Sequence, residues 1–291
     1  MKHPFRQLWS ALLLLGVGLC VLHAAESAAP AFEAEIRAFV ETDRRQPPKG
    51  SGILFVGSSI FREWTNVTEM MAPLPVLNRA FGGSRTSHQL QRFDEVVTPH
   101  APRVIVYYCG SNDLKSGDEP AAIFDRFREF SERVRRTLPT THLIYVTATR
   151  SPDRVARWGR VDHYNGLVRS LCESTPRHTF IDINPVLVDT NGAPRLDLYR
   201  SDKLHFHPHA YVEFARVIRP VLEDVWKQAG GPPATSPSSP SPSSPAPCRT
   251  GSDVRCPDPT TLDAQDVYAG IGFQIADVQG RRMVRRRASS R

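Results

Sequence analysis

The chain between its two ends has no surplus of positive charge. Its formal charge is +7, but Lys2, Arg6 and the arginines from Arg281 to Arg291 more than account for it, leaving the stretch between them near neutrality. A broad phosphate-binding face, the main source of nucleic-acid affinity, is therefore excluded. Long hydrophobic runs are missing too. The run from Leu8 to Leu22 and the patch from Tyr268 to Ile275 are both shorter than the about 20 residues that a spanning helix needs. The body also lacks an extra apolar segment of the kind that forms a lid or an acyl-chain tunnel. Cysteine is scarce, at five in 291 residues. Cys20 falls in the first apolar run, and Cys109 and Cys172 in regular structure. Cys248 and Cys256 either form a local disulfide in an oxidising compartment or remain two thiols.

The chain is 40% apolar and 23% charged, which excludes a wholly disordered or collagen-like protein and leaves room for one globular domain with extensions. Lys2 and Arg6 precede the apolar run, and small residues follow at Ala24, Ala25, Ser27 and Ala29. This reads as an export signal over residues 1–25, cleaved between Ala24 and Ala29, with the mature protein in a periplasm or outside the cell. Acylation at Cys20 is the alternative, but Leu19 is bulkier than the small residue such a site wants. A domain over 26–230 is expected next, followed by a Ser/Pro-rich linker over 231–247 that cannot bury enough apolar surface to order itself. The arginine-rich segment 248–291 is expected to be disordered.

In the body, short β-rich runs alternate with helix-period segments. Strands are expected at Ile53 to Val56, Val76 to Ala80, Val104 to Tyr108, Leu143 to Thr147 and Thr179 to Ile183. Most are nearly continuous in apolar residues, as strands covered on both faces are. Helices are expected at Ile60 to Met70, Ser87 to Val97, Ala121 to Leu138, Arg154 to Cys172 and Ala210 to Gln228. The fold class is α/β: a three-layer α/β/α sandwich around a mostly parallel five-stranded sheet.

In such a sheet, ligands bind where loops leave the carboxyl ends of the strands. Four polar clusters stand there: Gly57-Ser58-Ser59-Ile60, Phe81-Gly82-Gly83-Ser84, Gly110-Ser111-Asn112-Asp113 and Ser201-Asp202-Lys203-Leu204-His205. Acyl transfer needs a nucleophile, a base, a group that orients the base and donors for the oxyanion. Ser59 at a strand-to-helix turn can be the nucleophile, although Ser58 or Ser59 could merely cap that helix. Asp202 and His205 are spaced so that a tight turn lets the carboxylate meet one ring nitrogen and leaves the other for Ser59. The Ser59 and Gly83 N–H groups and the Asn112 amide can donate to the oxyanion. A tight turn at Gly82-Gly83 and a cap at Asn112 are the bland alternatives. Arg85, His88 and Trp158 are candidates to border the pocket, with a solvated or packing role the weightier reading of each.

These four blocks resemble the SGNH (GDSL-type) hydrolase superfamily, named for its Ser, Gly, Asn and His. They match at Ser59 in Val-Gly-Ser-Ser-Ile, Gly83 in Asn-Arg-Ala-Phe-Gly-Gly, Asn112 in Gly-Ser-Asn-Asp and His205 in Asp-Lys-Leu-His. The layout is similar to the bacterial branch related to platelet-activating-factor acetylhydrolases. The resemblance implies the flavodoxin-like SGNH fold, a serine esterase and no cofactor. It also implies a triad of Ser59, His205 and Asp202, with Ser58 replacing the family's frequent aspartate. The absence of a Gly-x-Ser-x-Gly elbow argues against an α/β-hydrolase.

Two other readings remain open. His205, His207 and His209 could hold a metal, although Pro208 opens a helical pattern expected to turn His209 away from the other two. A non-catalytic envelope protein that binds glycans is the second. The expected partner is a small-molecule or glycan ester, with a lean toward acetyl groups on carbohydrate. Nucleic acid and a stable membrane span are not expected.

Overall fold

The computed structural model describes residues 31–233. The expected signal segment, most of the linker, the arginine-rich tail and Cys20, Cys248 and Cys256 lie outside them.

Five strands, β1 (Ile53–Gly57), β2 (Val76–Asn78), β3 (Val104–Tyr108), β4 (His142–Val146) and β5 (His178–Ile181), form one sheet in the order β2-β1-β3-β4-β5. Every pairing is parallel, so the sheet is wholly rather than mostly parallel. Around it run α1 (Glu33–Arg45), α2 (Ser59–Arg62), α3 (Val67–Met70), α4 (Thr86–Gln91), α5 (Phe93–Val96), α6 (Ser111–Lys115), α7 (Pro120–Thr137), α8 (Trp158–Ser174) and α9 (Pro208–Gln228).

Side chains alternate across a strand, and here both faces are covered. Ile53, Phe55, Val104, Val106, Ile144 and Val146 pack with α2, α3 and α9. Leu54, Val56, Ile105, Tyr107, Leu143 and Tyr145 pack with α1, α5, α7 and α8. This double burial is why the strands read as apolar runs without alternation. In α7, Ile123, Phe127, Phe130 and Val134 are fully or nearly fully buried at the helical spacing the sequence shows. Truncating a residue such as Phe130 removes a contact set worth about 3–5 kcal/mol.

Three expected helices are broken. Ile60 to Met70 divides into α2 and α3 because Trp64, between them, is fully buried against Phe55, Phe61 and Tyr211. Burial of that indole outweighs the small propensity gain of a continuous helix. Ser87 to Val97 divides at Arg92, whose guanidinium turns inward to Glu33, Glu95 and the Ala31 carbonyl. The segment from Arg154 begins as a 3-10 turn, Pro152–Arg157, before α8. Helix α1 was not anticipated, because Ile36 is its one fully buried residue and its apolar stripe is thin. It is joined to the body by ion pairs from Arg79 to Asp43 and from Arg92 to Glu33.

The strand order reverses between β1 and β3, so the loops leaving their carboxyl ends diverge and open a crevice. Gly57 closes β1 opposite Tyr108 of β3. With φ +146°, a Cβ on Gly57 would lie 1.9 Å from the Tyr108 carbonyl oxygen. Only glycine permits this approach.

Candidate active site

Ser59 is the first residue of α2, directly above the crevice, and the helix receives no side-chain cap from Ser58. The capping alternative for Ser58 therefore does not hold. The Ser58 backbone is instead tied to β3, its N–H donating to the Tyr108 carbonyl at 3.0 Å. The Tyr211 hydroxyl in α9 donates to the Ile60 carbonyl at 3.0 Å. The short helix that carries Ser59 is thus held from both sides.

Asp202 and His205 share a loop closed by the antiparallel bridge between Tyr199 and Phe206. Inside it, Asp202 Oδ1 accepts the N–H groups of Leu204 and His205 at 3.0 and 2.9 Å. This side-chain turn is one that aspartate forms readily. The second oxygen, Oδ2, then meets His205 Nδ1 at 2.6 Å, while His205 Nε2 stands 3.1 Å from Ser59 Oγ. Burial works to raise the Asp202 carboxyl, but the bonds from the His205 ring and from the two N–H groups outweigh it and hold it at about 2. Its contribution to the loop is complete above the ordinary value of 3.8 and is lost as pH falls through about 2.

Gly83 lies in the loop after β2 with φ +77°. Asn112 lies in α6, its Nδ2 donating to the Ser84 carbonyl at 3.0 Å. An amide nitrogen carries two hydrogens, so this bond fixes the side chain and leaves a second donor. Sequence reasoning missed the residues that hold these donors in place. Ser84 Oγ donates to the Gly57 carbonyl at 3.1 Å, and Gln89 Nε2 donates to Ser84 Oγ at 2.9 Å. The loops after β1, β2 and β3 are therefore joined through one buried serine. Asp113, next to Asn112, is fully buried and accepts from Thr86 and Arg126. Burial pushes its carboxyl up, against those bonds. The adjacency of Ser84 to Gly83 and of Asp113 to Asn112 was the available signal.

The three candidate border residues separate. Arg85 and His88 belong to the start of α4, where His88 Nδ1 accepts the Arg85 N–H at 3.1 Å. The His88 ring packs edge-on against Phe32. Trp158 lines a slot of about 20 Å³ whose wall also includes Ser111 and Leu204, the residues immediately before Asn112 and His205.

Both ring nitrogens of His205 are engaged by Asp202 and Ser59. Pro208 does open α9, but the rings of His207 and His209 stack at 5.8 Å, so His209 is not turned away from His207 as the helical pattern had suggested. Among the described residues, no group of three His, Cys, Asp or Glu side chains is arranged to hold a metal ion. No helix among them is long and apolar enough to cross a membrane. A serine hydroxyl, an imidazole and a carboxylate hydrogen-bonded in series can carry out nucleophilic acyl transfer.

Residues 50–212 match the GDSL-like Lipase/Acylhydrolase family. Bovine platelet-activating factor acetylhydrolase IB subunit alpha1 is 24% identical over 206 residues, covering 67% of this chain and 85% of that protein. A GDSL-like lipase from Bacteroides thetaiotaomicron superposes with a TM-score of 0.57 at 17% identity, covering 65% of this chain and 97% of the other. A carbohydrate esterase family 3 structure from Talaromyces cellulolyticus gives a TM-score of 0.50 at 13% identity, covering 61% and 99%.

Proposed function

The chain belongs to the GDSL-like lipase/acylhydrolase family, within the SGNH hydrolases, and is a carboxylic ester hydrolase; from this premise we propose that it is an exported serine esterase acting through an acyl-enzyme on short-chain esters. The observation that carries the mechanism is the unbroken series Asp202, His205, Ser59, with contacts of 2.6 and 3.1 Å.

Ser59 Oγ attacks the ester carbonyl as its proton passes to His205 Nε2. Asp202, ionised throughout the neutral range, fixes the ring with its proton on Nδ1 and stabilises the imidazolium. The Ser59 and Gly83 N–H groups and the Asn112 amide take up the oxyanion charge. His205 returns the proton to the departing alcohol, leaving the acyl group on Ser59. Water, deprotonated by the same imidazole, then hydrolyses the acyl-enzyme. Removing one oxyanion donor typically costs about 3 kcal/mol. Asn112→Ala is therefore expected to lower kcat by roughly a hundredfold with little change in KM, measured on p-nitrophenyl acetate. A fall in affinity alone would remove Asn112 from this role.

The mammalian relative is an acetylhydrolase and one structural neighbour is a carbohydrate esterase. Together they favour acetyl esters of carbohydrates or lipids, and the absence of an extra apolar segment for a lid or acyl-chain tunnel leans toward carbohydrate. Export is supported by Lys2 and Arg6, the run from Leu8 to Leu22 and the small residues that follow. Hydrolysis of p-nitrophenyl esters from acetate to palmitate tests the substrate reading. Rates are expected to be highest for acetate and to fall by more than about tenfold beyond butyrate. A maximum at long chains would overturn the short-acyl assignment.

A further inference from the structure

The slot lined by Trp158, Ser111 and Leu204 has a distinct electrostatic character. Its lining includes Lys115, Arg154 and Arg157 and no carboxylate. Arg154 is paired with Asp153 at 2.9 Å. Arg157 spends one nitrogen on the backbone carbonyls of Leu114 and Lys115. Among the described residues, neither Arg157 nor Lys115 forms an ion pair. A guanidinium has five N–H donors in a planar fork suited to a carboxylate, so most of the Arg157 fork remains available.

The position of these cations relates them to the reaction. Lys115 follows Asn112 by three residues in α6, the spacing that places two side chains on neighbouring parts of one helix face, about 4.5 Å apart along the axis. Arg157 is bonded to the carboxyl end of the same helix. Trp158 also lines the slot, fixed by its indole N–H donating to the Ser151 carbonyl at 3.0 Å. Ser111 and Leu204, the residues just before Asn112 and His205, line it as well. The slot that holds these cations thus adjoins the two segments that carry Asn112 and His205, where a substrate extending from the scissile carbonyl along the crevice would enter it.

We propose that Lys115 and Arg157 form a subsite for a carboxylate carried by the ester substrate a few bonds from the scissile carbonyl. The inference rests on the esterase reading and narrows its substrate class to acidic esters. The carboxylate can belong to the acyl group, as in a half-ester of a short dicarboxylic acid, or to the alcohol, as in an acetylated uronic acid. Both sources present the same charge to the same fork.

The test compares kcat/KM in two pairs: p-nitrophenyl hemisuccinate against p-nitrophenyl butyrate, and O-acetylated galacturonic acid against O-acetylated galactose. The acidic member of at least one pair is expected to be preferred, and the responding pair identifies the source. Lys115→Gln is expected to lower that preference by about tenfold, and Arg157→Gln to do the same. Arg157→Lys, which keeps the charge, is expected to restore much of it. Raising the salt from about 0.02 to 0.5 M should shrink the preference in the native protein and have little effect in the double variant. A merely structural role for Arg157 would not produce that salt dependence. Equal rates within both pairs, or a preference that survives Lys115→Gln and Arg157→Gln together, would overturn the subsite while leaving the esterase reading intact. Failure to hydrolyse any ester would overturn both.

Discussion

Ser59→Ala is expected to lower kcat by roughly a millionfold on any ester the protein hydrolyses, the magnitude seen when the nucleophile is removed from such a triad. The hydroxyl is the atom that forms the covalent bond, and the groups that remain can only position water and stabilise charge. A residual acceleration of about 10³–10⁴ over the uncatalysed reaction should persist from the oxyanion donors. Because Ser59, His205 and Asp202 act as a unit, the double variant Ser59→Ala, His205→Ala should be scarcely worse than either single one. Ser59 Oγ contacts the His205 ring and the variant deletes one oxygen, so the thermal midpoint should stay within a few degrees. Active-site titration with a serine-directed organophosphate should label the native protein at one equivalent and leave the variant unlabelled. Activity within tenfold of the native protein would show that Ser59 is not the nucleophile.

Gly57→Ala is expected to destabilise the protein by more than about 3 kcal/mol, or to prevent it from folding, through a different mechanism. The added Cβ would sit 1.9 Å from the Tyr108 oxygen and 2.8 Å from its carbonyl carbon. Both are backbone atoms of a central strand that cannot shift without breaking the β1–β3 pairing. The Gly57 carbonyl is also where the loop after β2 is fastened, through Phe81 N–H, Ser84 Oγ and Gln89 Nε2. Displacement of Gly57 would therefore loosen the Gly83 loop as well as the sheet. Gly166→Ala in α8, where a new Cβ meets nothing within 4 Å, serves as the control and should raise stability by about 0.5–1 kcal/mol. Urea unfolding of the two variants measures the contrast. A Gly57→Ala protein with a native midpoint would mean that the close approach of β1 to β3 is not required.

The sequence by itself determined the layered architecture, because strands buried on both faces must be apolar throughout and helices buried on one face must repeat at 3.6 residues. It also determined which loops to inspect, since the carboxyl ends of parallel strands are set by chain order. The local turn that joins Asp202 to His205 was legible for the same reason: it depends on residues three positions apart. What depended on distant partners was not. Trp64 and Arg92 interrupt helices because each finds its packing or charge partner in another element, and α1 is joined to the body by pairs such as Asp43 with Arg79. The separation of Trp158, which lines the slot, from Arg85 and His88, which shape the start of α4, was likewise decided in three dimensions. So was the bringing together of Ser59 with a histidine 146 residues later. That contact required the strand order to reverse between β1 and β3 and α9 to anchor α2 through Tyr211, and only the packed chain brings both about.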